Sequence, residues 1–201
     1  MKLLAKVHQK LNLEEMLTFK KKVAVFISGR GSNLKNLYKF STTLESKFVI
    51  SLVISNKKEA KGILFSKTKK IKTIYIDKKM SIFEKKALIE ISKHKIDILC
   101  LAGFMRILSK EFIENINIPV LNIHPSLLPK FKGLNTHERA INKKEKFSGC
   151  TVHFVTAKLD SGKIILQKKV KIAKSETPKS LASKVLKAEH QTYPLALNKI
   201  C

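Results

Sequence analysis

Asn122 and His124 stand two residues apart at the end of an apolar run, in NIHPSLLPKFKG (122–133). Side chains of an extended segment repeat every second residue, so the amide and the imidazole share one face. Two hydrogen-bond donors aimed at one spot suit a negative oxygen developing on a carbonyl carbon. Pro125, Pro129 and Gly133 then keep the chain out of regular structure. A lone histidine is more often a structural residue; the paired amide, the strand-end position and the proline-stiffened loop favour chemistry. Asp160, in the turn LDSG, is suited to hold an imidazole protonated or to accept its proton. Asp-x-Gly is also common turn chemistry. Asp160 therefore counts only if the fold brings its carboxyl within solvent-bridged reach of His124.

Two further stretches are suited to holding reactants. SGRGSN (28–33) joins an apolar run to an amphipathic one. Its glycines permit a tight turn and let backbone N–H groups approach a ligand, and the following helix N-terminus adds partial positive charge. Ser32 or Asn33 is expected to cap that helix. The pattern is half of a dinucleotide fingerprint, but Leu34 stands where the third glycine belongs, so a phosphate on a smaller ligand fits better than a nicotinamide or flavin. In LAGFMRIL (101–108), Phe104, Met105 and Leu108 beside backbone amides offer a slot for a flat ring; core packing is the alternative. His137, His153 and His190 look weaker: one starts a helix, one lies inside a strand, one sits on the closing helix. Neither HExxH nor clustered Cys/His spacing occurs, so no metal is expected. GxSxG and GK[ST] are also missing, which argues against a serine hydrolase and an NTPase.

The elements that must position these residues alternate. Apolar runs at 23–28, 48–55, 73–76, 96–103 and 119–123 read as buried strands, with helices at 32–40, about 59–67 and 82–94 between them. Continuous apolar strands alternating with helices predict an α/β chain: a Rossmann-like, doubly wound, mostly parallel sheet. Residues 148–157 and 163–173 alternate more, which predicts an antiparallel edge in the C-terminal third. Pro178 opens a closing helix over roughly 178–193.

With 201 residues and 44% hydrophobic content, one domain with a real core is expected. Residues 1–21 read as a helical N-terminal extension, with neither a signal peptide nor a membrane span. Cys100, Cys150 and Cys201 form no CxxC and fit a reduced, cytoplasmic compartment. The net charge of +26 invites a nucleic-acid reading, but arginine occurs only at 30, 106 and 139. Planar recognition of phosphate or guanine prefers arginine. The lysines are therefore read as a solvated surface, one that attracts small anionic substrates.

Taken in order, VAVFISGRGSNL, VISN, LAGFMRIL, LNIHPSLLPKFKG, GCTVHFVTAKLDSGKIILQKKV and AEHQTYPL resemble the phosphoribosylglycinamide formyltransferases of purine synthesis, from about residue 22 to 197. The resemblance implies the formyltransferase fold, with 22–118 as the phosphate-binding half and 119–201 as the catalytic and folate-binding half. It implies formyl transfer from 10-formyltetrahydrofolate to the amine of glycinamide ribonucleotide, in the cytoplasm, by a monomer or weak homodimer without a metal. Residue by residue, it implies that Asn122, His124 and Asp160 are catalytic. Gly31, Ser32, Asn33 and Leu34 hold the phosphate and ribose, and Glu189 lies near the substrate amine. Met105, Arg106, Ile107 and Leu108, with Thr156, Ala157, Lys158 and Leu159, hold the folate. Lys78 or Lys79 stands for the basic residue that the family often has near the third strand-to-helix turn. Related formyl-folate enzymes share the N-x-H and the later aspartate, so hydrolysis of formyl-folate is the rival reading, and a basic nucleic-acid-binding domain a more distant one.

Overall fold

The structure, a computed structural model, describes residues 20–77 and 79–201. The helix expected over the N-terminal extension lies, through residue 19, outside the described residues. Lys21 already begins the first strand, β1 (Lys21–Ile27). There follow α1 (Ser32–Ser41), β2 (Phe48–Ser55), α2 (Lys61–Thr68), β3 (Lys72–Tyr75), α3 (Met80–Lys93) and β4 (Ile98–Leu101). The chain continues through α4 (Lys110–Asn115), β5 (Val120–His124), α5 (Thr136–Asn142), β6 (Phe147–Phe154), β7 (Ile164–Lys171) and α6 (Pro178–Ile200).

The seven strands form one sheet in the order β3-β2-β1-β4-β5-β6-β7. Pairings from β3 to β5 are parallel, and β6 and β7 join antiparallel. The doubly wound sheet and its antiparallel C-terminal edge are those expected from the patterning. The order reverses between β1 and β4, and in such sheets ligands bind in the crevice beyond the strand ends at that point.

Alternation along β1 divides the core. Val23, Val25 and Ile27 face one layer, where Leu34, Leu37, Leu181, Val185 and Leu197 pack. Ala24 and Phe26 face the other, with Phe83, Ala87, Ile91 and Phe112. A strand buried on both faces has no polar alternation to show, which is why these segments read as continuous apolar runs. Tyr193 of α6 is fully buried, with its hydroxyl 3.1 Å from the carbonyls of both Leu101 and Leu121. That hydroxyl ties α6 to the carboxyl ends of β4 and β5, next to Asn122.

The closing helix runs past its expected end. Pro194 lacks an N–H, yet α6 continues to Ile200 because Ala196 and Leu197 are fully buried beyond it. Six-residue α4 was not visible in the patterning. Its Ser109 N-cap accepts from the Phe112 N–H and is itself gripped by buried Glu84.

Candidate active site

β5 ends with Asn122 and His124 on one face, and antiparallel β6 sets His153 opposite Asn122 and Thr151 opposite His124. Thr151 fixes the loop beyond: its hydroxyl donates to the Ser126 carbonyl (2.7 Å) and accepts from the Leu128 N–H (3.0 Å). The loop then turns back so that the Phe131 carbonyl lies 2.9 Å from Nε2 of His124.

Asp160 enters from the turn between β6 and β7. It holds a left-handed backbone with φ 45. Gly162 packs so closely that an added Cβ would lie 1.9 Å from the Phe154 carbonyl oxygen, so only glycine closes this turn. The Gly133 N–H donates to Asp160 Oδ2 at 2.9 Å. The same oxygen stands 3.3 Å from Nδ1 of His124, with both side chains 7% exposed. The carboxyl therefore meets the distance that the sequence reading required of it, although 36 positions separate the two residues.

The contacts allocate the protons. Both ring nitrogens of His124 face oxygen atoms, the Phe131 carbonyl and the Asp160 carboxyl. The Nε2–H bond to Phe131 is well formed, whereas 3.3 Å to Asp160 lies beyond the usual 2.7–3.2 Å range. With Nε2 engaged by Phe131, Nδ1 is the ring nitrogen turned toward Asp160, and both residues line one cavity. His153 behaves differently. Its Nδ1 lies 2.9 Å from the Phe154 carbonyl and must carry the hydrogen. Its Nε2 then accepts from Nδ2 of Asn122 at 3.3 Å, and lies 3.7 Å from Asp160 Oδ1. Burial pushes the His153 pKa down, against the raising pull of the Phe154 carbonyl and the Asp160 charge, so the ring stays neutral and keeps that lone pair. One amide hydrogen of Asn122 is spoken for, and the amide's orientation is set.

A cavity of about 370 Å³ joins these groups to the slot after β4. Asn122, His124, His153 and Asp160 share it with Met105, Arg106, Ile107, Leu108, Thr156, Ala157 and Leu159. Lys158 is absent from its walls; its carbonyl accepts from the Thr156 hydroxyl at 3.1 Å. Met105, Ile107, Leu134 and Leu159 expose between 51% and 81% of their surface around this cavity, an apolar rim suited to a flat ring.

The 28–33 loop forms a second cluster. Ser32 and Asn33 do not cap α1. Gly31 is the N-cap, at φ 71 and ψ 30, and no side chain bonds the helix start. The first N–H groups of a ten-residue helix are thereby left to an incoming anion. Asn33 instead donates through Nδ2 to Oε2 of Glu189 on α6, at 2.7 Å. Burial pushes the Glu189 carboxyl up to about 7, against the lowering effect of Asn33. Leu34 is fully buried in the core, so only its backbone is available to a ligand. Lys79 is the N-cap of α3, and Lys78 lies outside the described residues.

Sequence reasoning undervalued His153. Once β6 is paired with β5 in the observed register, His153 stands opposite Asn122, and the alternate residues His153 and Val155 both line the cavity.

Comparison with known proteins gives the family. The formyl transferase family profile matches residues 21–197. Phosphoribosylglycinamide formyltransferase of Escherichia coli (strain K12) is 37% identical over 181 residues, covering 88% of this chain and 85% of that protein. The chain belongs to the phosphoribosylglycinamide formyltransferase family. The crystal structure of the Brucella melitensis member of this family overlays with a TM-score of 0.86 and 42% identity, over 90% of this chain and 95% of that one. The human trifunctional purine biosynthetic protein adenosine-3 is 42% identical over 196 residues. Those residues are 94% of this chain but only 19% of the human protein, so the match concerns a part of it. Among the described residues no group of histidine, cysteine and acidic side chains is placed to hold a metal, and no helix is long and apolar enough to cross a membrane.

Proposed function

We propose that the protein transfers the formyl group of 10-formyltetrahydrofolate to the amine of glycinamide ribonucleotide, in the purine synthesis of the cytoplasm. The observation that carries this reading is the meeting of Asn122, His124 and Asp160 in one cavity with Met105–Leu108, in a chain of this family.

The amine nitrogen attacks the formyl carbon, and the formyl oxygen becomes an oxyanion. The free amide hydrogen of Asn122 and the Nδ1–H of His124 are the donors for that oxygen; one preorganised donor is worth about 3–4 kcal/mol in rate. Asp160 keeps the imidazole in its donating form and carries the amine's proton, through water, to the folate nitrogen as the carbon–nitrogen bond to the folate breaks. Transfer is direct, without a covalent enzyme intermediate. The open start of α1 with Gly31–Leu34 holds the phosphate and ribose, and Glu189 takes the substrate's amine end. The apolar rim and Thr156, Ala157 and Leu159, in the connection after β6, hold the folate. Holding both reactants replaces a bimolecular encounter, which is where much of the acceleration arises.

The test is formyl transfer by the purified protein, with product analysis in the presence and absence of glycinamide ribonucleotide. Formylated ribonucleotide is expected. Formate released at the same rate without the acceptor would establish the hydrolase instead.

A further inference from the structure

The crevice where the strand order reverses has two walls, the 28–33 loop after β1 and the 102–109 loop after β4. One side chain spans them. Ser28 is 5% exposed, and its N–H donates to the Gly103 carbonyl at 3.1 Å. Its hydroxyl accepts from the Met105 N–H at 2.8 Å and donates to Asn56 Oδ1, just beyond β2, at 2.6 Å. The far end of the second loop is clamped separately. Buried Glu84 on α3 accepts from the Ser109 N–H and from the Ser109 hydroxyl, each at 2.7 Å.

Met105–Leu108 is therefore a short span pinned at both ends. Between the pins, Met105 and Ile107 are 72% and 76% exposed, so packing does little to hold them. No side chain among the described residues bonds the backbone of 106–108. The position of this wall depends on its two anchors, and the Met105 anchor belongs to the opposite wall.

Resting on the formyl-donor role given above to Met105–Leu108, we infer that Ser28 is a positioning residue for the formyl-donor slot, although it stands in the loop that grips the other substrate. Asn56 orients the hydroxyl by taking its hydrogen, which leaves an oxygen lone pair directed at the Met105 N–H. Removing the hydroxyl leaves a backbone donor and an amide oxygen without partners, a costly state for groups away from water. The slot loosens while the start of α1, held by Gly31 and Gly62, keeps its shape.

The test is Ser28→Ala, with KM measured for each substrate separately. The expected result crosses the loops: KM for 10-formyltetrahydrofolate rises about 10-fold, and KM for glycinamide ribonucleotide stays within about two-fold. Amide hydrogen exchange at Met105 should accelerate in step. A rise confined to the ribonucleotide, or unchanged folate KM with unchanged Met105 exchange, overturns the inference. Should Ser28→Ala fail to fold, Asn56→Ala decides by the same two readouts, with a smaller shift in the same direction expected. Wild-type protein that binds neither substrate in calorimetry would remove the functional reading, and the inference with it. Normal transfer by both variants would remove the inference alone.

Discussion

Nδ2 of Asn122 lies 3.3 Å from Nε2 of His153, and the other nitrogen of that ring is 2.9 Å from the Phe154 carbonyl. The second contact fixes the tautomer, the tautomer makes Nε2 an acceptor, and the acceptor fixes which way the Asn122 amide points. An asparagine free to flip would present its oxygen to a developing oxyanion half of the time. His153→Leu is expected to lower kcat about 10-fold, less than the loss of the donor itself. Asn122→Ala and the double variant should then have nearly equal rates, because His153 acts through Asn122. Additive losses in that cycle would show that His153 has an independent role.

His124→Ala should keep the fold but lose at least ~100-fold in kcat. The ring is buried, so the measurement needs a circular dichroism control for folding. Near-wild-type turnover would remove His124 from the chemistry. Asp160→Asn keeps an acceptor toward the Gly133 N–H but removes the charge beside Nδ1. With the carboxylate gone from the proton path, kcat should fall about 100-fold while the fold is kept. Near-wild-type kcat would make Asp160 a residue of the turn alone.

Gly31 sits at φ 71, and a Cβ there would lie 2.8 Å from Cα of Gly62. Gly31→Ala is expected to cost about 2 kcal/mol of stability, combining the left-handed backbone with a contact that the α2 backbone must relieve. Displacement of the loop should also raise KM for the phosphorylated substrate more than KM for the folate. Calorimetric binding of the ribonucleotide unchanged from wild type would show that this loop is not its phosphate site.

How legible all this was in the sequence depended on the range of the interactions. β1, β2 and β4 are buried on both faces and announced themselves as apolar runs. Asn122, His124 and Asp160 were legible because their residue types imply a shared chemistry. The bond from Asn33 to Glu189 crosses 156 positions, and no local rule distinguishes it from the helix cap that Ser32 or Asn33 was expected to form. His153 looked like a strand residue because its role comes from the register of β6 on β5, which periodicity alone does not supply. The passage of α6 beyond Pro194 likewise reflects tertiary burial overriding a local stop signal.

Glu189 offers a prediction with a definite sign. Its carboxyl is buried, and burial raises its pKa in the folded chain from an ordinary carboxylate value to about 7. Between roughly pH 4.5 and 7 the unfolded chain has released this proton while the folded chain keeps it. The group's contribution to stability is thus complete below the unfolded pKa and is lost as pH rises through about 7. The size of that loss is on the order of 3 kcal/mol. Glu189→Gln keeps an acceptor for the Asn33 amide and cannot ionise, so its melting temperature should lack this component. The difference in stability between variant and wild type should grow from pH 5 to pH 8 in favour of the variant. Parallel pH dependence of the two proteins would mean that Glu189 is ionised throughout that range. The same variant should bind the ribonucleotide more weakly at pH 8, where the carboxylate is available to the substrate's amine, and the deficit should shrink toward pH 6.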